Sequence, residues 1–141
     1  MNSVYKDDSL TLHTDLYQIN MMKTYWETGV SEKKAIFEAY FRKLPFENGY
    51  AIFAGLERIV RYIEQLRFSK TDIEYLRGLG HYPEEFLTYL ENFEFKGNIR
   101  SAVEGELVFA NEPLVQVEGT LAECQLIETA LLNIVNFQTL I

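Results

Sequence analysis

Thr14-Asp15-Leu16-Tyr17-Gln18 opens a helix, and its spacing organises the rest of the chain around it. Thr14 is a good N-cap, because its hydroxyl can accept an orphan backbone N–H. Asp15 then falls in the first turn, where its charge favours the helix dipole. Leu16, Ile19, Met22 and Trp26 recur at helical spacing and form one apolar stripe, with the helix running to about Trp26. At about 100° per residue, Tyr17, Met21 and Thr24 cluster on roughly the opposite side. Periodicity leaves two readings of Tyr17 open: it faces outward and needs a partner, or the helix is buried all round and Tyr17 is core.

Outward from that helix, Gly29 and Ser31-Glu32-Lys33-Lys34 read as a loop and Ala35 to Arg42 as a strand. Ala35, Phe37, Ala39 and Phe41 form its apolar core face, while Ile36, Glu38, Tyr40 and Arg42 share the other. Leu44-Pro45-Phe46-Glu47-Asn48-Gly49 reads as a turn. A helix from about Phe53 to Leu66 carries an apolar stripe of Phe53, Leu56, Ile59, Val60, Ile63 and Leu66. Its Glu57 and Arg61 make an i,i+4 pair worth about 0.2–0.5 kcal/mol. Ser69-Lys70-Thr71-Asp72 resembles a capping box and starts a short helix to Arg77. Pro83, at a first-turn position, starts another with Phe86, Leu87, Leu90 and Phe93 inward.

The character changes at Gly97. Short strands are expected over Ile99–Glu104, Glu106–Ala110 and Leu114–Glu118, punctuated by Gly105 and Asn111-Glu112-Pro113. Thr120 is a fair N-cap for a last helix over about 121–141, with Leu121, Cys124, Ile127, Leu131, Ile134, Val135 and Leu140 at helical spacing. The fold class is α+β, in one domain of 141 residues.

Hydrophobic residues make up 48% and aromatics 14%, ample for a core. The net charge of −8 argues against a nucleic-acid surface, though not against a local anion site built from one or two arginines. The single cysteine, Cys124, cannot form an intrachain disulfide, which fits a reducing, cytoplasmic setting. Its residue type and spacing suit a small apolar position in a helix. Met1 to Leu10 is polar and mixed in charge, unlike a signal peptide. Leu121 to Ile141 carries too many polar side chains for a membrane span.

Nucleotide and nucleophile signatures are missing: GxxxxGK[ST], GxGxxG and GxSxG do not occur. His13 and His81 lack metal-ligand spacing, and His81 reads as a solvated turn residue. No metal site and no catalytic residue is assigned. The last helix has no closing glycine, basic final turn or following proline, so the chain is read as the N-terminal portion of something longer.

Several runs taken in order resemble the N-terminal region of nicotinate phosphoribosyltransferases. They are Leu12-His13-Thr14-Asp15-Leu16-Tyr17-Gln18 and Phe37-Glu38-Ala39-Tyr40-Phe41-Arg42-Lys43-Leu44-Pro45-Phe46. Ala54-Gly55-Leu56-Glu57, Glu104-Gly105-Glu106 and Pro113-Leu114-Val115-Gln116-Val117-Glu118-Gly119 follow. Gln125-Leu126-Ile127-Glu128-Thr129 then leads into Asn136-Phe137. Each run alone is weak, but the ordered set spans nearly the whole chain.

The resemblance implies a type II phosphoribosyltransferase, whose N-terminal, hammerhead-like α+β region precedes an α/β barrel that this chain lacks for the most part. It implies transfer of the phosphoribosyl group of phosphoribosyl pyrophosphate to nicotinate, making nicotinate mononucleotide for NAD biosynthesis, with ATP and Mg²⁺ as the full enzyme's cofactors. It also implies a homodimer in which Tyr17 stacks on nicotinate bound by the neighbouring subunit. Arg42 becomes a candidate phosphate or pyrophosphate contact, against a plain surface pair with Glu38. Asp15 is a candidate orienting group, against simple support of the helix dipole. No membrane or nucleic-acid partner is implied. Without the barrel, the 141 residues are expected to be inactive.

Three other readings compete. Within the transferase class, the nicotinamide and quinolinate enzymes share the architecture. The strands after Gly97 also loosely resemble a lipoyl or biotinyl hammerhead, a non-catalytic binding module. No lysine lies between Gly97 and Ile141, so the attachment chemistry of those carriers is absent. The third is a structural module that dimerises through the Tyr17 helix.

Overall fold

The computed structural model describes residues 10–44 and 49–140. The alternation from Ala35 forms a strand, β1 (Lys34–Ala39), whose partner comes from far along the chain. β1 pairs antiparallel with β5 (Val115–Thr120), setting Phe37 opposite Val117. On its other side β5 pairs antiparallel with β3 (Asn98–Ser101), setting Val117 opposite Ile99. These three form one sheet, and β2 (Ala51–Ile52) with β4 (Leu107–Val108) forms a small second one. The helix α5 (Leu121–Leu140) follows β5 without a loop and turns back over the sheet's apolar face. Cys124 packs at that contact, its Sγ 3.7 Å from the carbonyls of both Ala35 and Val117.

α1 (Leu16–Glu27) lies along α5. Between and around them pack α2 (Leu56–Glu64), α3 (Lys70–Gly78) and α4 (Glu84–Glu91). The core they enclose holds Ile19, Met22, Phe53, Ile59, Leu76, Phe86, Leu90 and Leu126, all fully buried. Trp26 reaches it by tilting against Phe86, with ring centroids 5.7 Å apart. Phe86, Leu87, Leu90 and Phe93 are inward as their spacing indicates. The capping box forms: Ser69 N donates to Asp72 at 2.8 Å and Asp72 N donates to Ser69 at 3.1 Å. The Arg61–Glu57 pair also forms, at 2.7 Å. Among the described residues no helix is long and apolar enough to cross a membrane.

The structure differs from the sequence reading in several places. The N-cap of α1 is Asp15, not Thr14: Asp15 is extended, and its carbonyl accepts from Gln18 N at 2.8 Å. Leu16 leaves the apolar stripe and is half exposed. β1 ends at Ala39 rather than Arg42, because the opposing chain stops being regular there. Asn111, at φ 65, donates to the Phe41 carbonyl, while Leu114 donates to that of Ala39. The helix expected from Phe53 begins only at Leu56, since Phe53 N donates to the Glu106 carbonyl beside β2 and β4. With the start moved, Tyr62 is buried and Val60 is exposed. Pro83 sits at the N-cap of α4, not inside its first turn. β3 and β4 are shorter than read, whereas β5 begins one residue later than read and runs on to Thr120. Of the turn expected at Leu44–Gly49, residues 45–48 lie outside the described residues, as does Ile141.

Candidate functional site: the exposed start of the first helix

Tyr17 is 60% exposed, so of the two rotational readings the outward one holds. The cause is a polar seam between α1 and α5. Gln18 is buried, and its amide N–H groups donate to Thr129 Oγ1 at 3.0 Å and Glu128 Oε2 at 3.4 Å. Gln125, also buried, donates to the Gln18 carbonyl oxygen and to Glu128 Oε2 at 3.3 Å. The Tyr25 hydroxyl donates to Gln125 Oε1 at 3.0 Å. Burial pushes the Tyr25 phenol above its ordinary pKa, with help from Tyr17 and the Glu128 charge, so it stays a donor. Thr129 completes the seam by donating to Asp15 Oδ2 at 3.2 Å.

Asp15, Gln18 and Tyr25 therefore share the face of α1 that meets α5. That fixes the helix's rotation, because partners buried with polar groups must be matched or the groups go unpaired. Tyr17, one residue from Gln18 and about 100° round the helix, is left to solvent. Asp15 thus has two tasks: it caps the helix start through its backbone and anchors it to α5 through its carboxylate. The Thr14 hydroxyl, by contrast, is buried without a hydrogen-bond partner among the described residues.

Arg42 is exposed, three residues beyond the end of β1. It makes no ion pair with Glu38 among the described residues. Glu38 instead accepts from Gln116 Nε2 of β5 at 2.8 Å. No hydrogen bond joins Arg42 to Asp15 or Tyr17 among the described residues.

Spacing alone did not single out Gln18, Gln125, Glu128 and Thr129. A signal was present: Gln125, Glu128 and Thr129 stand at i, i+3 and i+4 in the last helix, which puts them on one face. Glu104 was missed too. Its carboxylate accepts from Gly55 N at 3.0 Å and Leu56 N at 2.8 Å, capping α2 from a residue far along the chain. Gly55 stands at φ 108 and packs against Gln138, so a side chain there would be both strained and crowded. Glu123, three residues after Thr120, closes a capping box on α5. Thr120 N donates to Glu123 at 2.6 Å and Glu123 N donates to Thr120 at 3.2 Å.

The runs that carried the family resemblance meet in pairs: Thr14–Gln18 with Gln125–Thr129, and Ala54–Glu57 with Glu104–Glu106. A profile of the nicotinate phosphoribosyltransferase (NAPRTase) N-terminal domain matches residues 12–136. The chain belongs to that family. Nicotinate phosphoribosyltransferase of Bacillus subtilis (strain 168) is 61% identical over 137 residues, covering 97% of this chain and 28% of the relative. That of Caenorhabditis elegans is 43% identical, covering 95% and 25%. The crystal structure of human nicotinic acid phosphoribosyltransferase matches with TM-score 0.79 at 36% identity, over 86% of this chain and 25% of that one. Nicotinate-nucleotide pyrophosphorylase from Pyrococcus furiosus, at TM-score 0.62 and 20% identity, shares the fold. The chain spans about a quarter of the length of these NAPRTase-family relatives. The α+β reading holds, and no barrel is present among the described residues.

Proposed function

We propose that residues 1–141 form the N-terminal domain of a nicotinate phosphoribosyltransferase, with α5 leading toward an α/β barrel. The observation that carries this reading is the outward Tyr17, held by the buried Gln18–Gln125 seam in a family member. In the whole enzyme the pyridine nitrogen of nicotinate attacks the ribosyl carbon of phosphoribosyl pyrophosphate, and the bond to pyrophosphate breaks. ATP and Mg²⁺, when bound by the whole enzyme, would supply the driving force for that transfer. The product is nicotinate mononucleotide for NAD biosynthesis, made by a cytoplasmic homodimer.

Within that reaction this chain binds and orients. Tyr17 supplies a flat wall for the electron-poor ring, in the subunit next to the one that holds it. Such stacking contributes about 0.5–1.5 kcal/mol beyond area burial. Asp15 keeps the first turn seated on Thr129, and so aims Tyr17. Arg42 offers a planar guanidinium fork to a phosphate or pyrophosphate. Among the described residues there is no group of three or more His, Cys, Asp or Glu side chains able to hold a metal.

The isolated chain should therefore be inactive. Incubation of the purified 141 residues with nicotinate, phosphoribosyl pyrophosphate, Mg²⁺ and ATP should yield no nicotinate mononucleotide. Sustained turnover would place the catalytic groups inside this chain and overturn the division of labour.

A further inference from the structure

Between α2 and α5 lies an open groove of about 760 Å³. α2 and its C-cap face it with Arg58, Arg61, Tyr62 and Gln65, an i, i+3, i+4, i+7 stripe. α5 faces it with Ala130, Asn133, Ile134 and Phe137 at the same spacing. His13 stands at the lip. No Asp or Glu lines the groove, although the chain carries a net charge of −8.

The groove therefore carries cationic side chains and no anionic ones, while Gln65, Asn133, Asn136 and the Tyr62 hydroxyl can each donate or accept. Arg58 makes no ion pair with any described acid. Arg61 binds Glu57 through one guanidinium nitrogen, and its side chain stays 66% exposed. The Tyr62 hydroxyl is buried with no hydrogen-bond partner among the described residues. Beside these groups Phe137 is 61% exposed, an apolar ring with no other ring stacked on it among the described residues. Two guanidinium forks suit tetrahedral oxyanions, and an open aromatic face suits a flat apolar group. The volume is that of a small-molecule site.

We propose that the α2–α5 groove binds a small phosphate monoester with a planar organic group, the phosphate at Arg58 and Arg61 and the ring against Phe137. This site is separate from the nicotinate reading, because Tyr17, Asp15 and Arg42 are not among its lining residues.

Phenyl phosphate and inorganic phosphate, each titrated into the 141-residue chain at fixed ionic strength, test it through the NMR signals of the His13 ring and the Arg58 side chain. Both ligands should give saturable shifts, with phenyl phosphate about 2- to 12-fold tighter through stacking. Arg58→Gln should weaken both by about three- to tenfold, since the guanidinium is solvated. Phe137→Ala should abolish the preference for phenyl phosphate and leave inorganic phosphate unchanged. Both arginines are exposed, so an unchanged far-ultraviolet circular dichroism spectrum is the folding control. Absent saturation, equal affinity for the two ligands, or affinities unchanged in a folded Arg58→Gln/Arg61→Gln variant would each overturn the proposal.

Discussion

Replacing Gln125 with Leu keeps roughly the same volume but removes both the donor and the acceptor at the centre of the α1–α5 seam. The Gln18 carbonyl oxygen then loses its donor inside a residue that is only 4% exposed. Glu128 loses one of its two amide contacts, while the part-exposed Tyr25 hydroxyl can turn to water. An orphaned buried acceptor costs about 1–3 kcal/mol, and a lost bond to a carboxylate adds about 1.5 kcal/mol or less where water can enter. The expected destabilisation is about 2–4 kcal/mol, which lowers Tm by about 6–12 °C in a domain of this size. Urea unfolding followed by circular dichroism, with an unchanged m-value, measures it. Gln18→Leu combined with Gln125→Leu should cost less than the sum of the two single changes, because each removes the other's unpaired partner. If Gln125→Leu falls within about 0.5 kcal/mol of wild type, the level of an ordinary surface change, the seam does not set the rotation of α1.

Two further outcomes follow from other contacts. Glu104→Ala leaves the Gly55 and Leu56 N–H groups without their acceptor and should cost about 0.5–2 kcal/mol in the same urea assay, as loss of an N-cap does. Tyr89 is held up to a pKa of about 12, first by burial and then by the Glu32 charge. An unfolded tyrosine ionises near 10, so between about pH 10 and 12 the unfolded chain has shed a proton that the fold retains. Stability from this group is complete below pH 10 and is lost as pH rises toward 12, so Tyr89→Phe should show a shallower fall in unfolding free energy across that window.

The helices were legible because their signals are local. Phe86, Leu87 and Leu90 repeat at helical spacing, and Ser69 and Asp72 cap each other three residues apart. The alternation of Ala35, Phe37 and Ala39 likewise marks its own buried face. What could not be read was set by residues distant in sequence. β1 stops where Asn111 turns back, α2 begins where Glu104 caps it, and α1 is rotated by Gln125 and Thr129 of α5. The same holds for the site. Periodicity put Tyr17 opposite the apolar stripe but could not tell solvent from core, because the deciding contacts lie more than a hundred residues away. Thr14 shows the limit of local chemistry: it is a good N-cap by type, yet Asp15 takes the position because its carboxylate also reaches Thr129.

The central claim is that Tyr17 forms one wall of a nicotinate site completed by the rest of the enzyme. Its most direct test is a chimaera in which this chain replaces the matching 28% of the Bacillus subtilis relative, with Tyr17 or Tyr17→Ala. The chimaera with Tyr17 should form nicotinate mononucleotide. Tyr17→Ala should raise KM for nicotinate by at least about 2- to 12-fold, the stacking term alone, with KM for phosphoribosyl pyrophosphate unchanged, and Tyr17→Phe should restore it. An active chimaera whose nicotinate KM is the same with Ala at position 17 contradicts the claim.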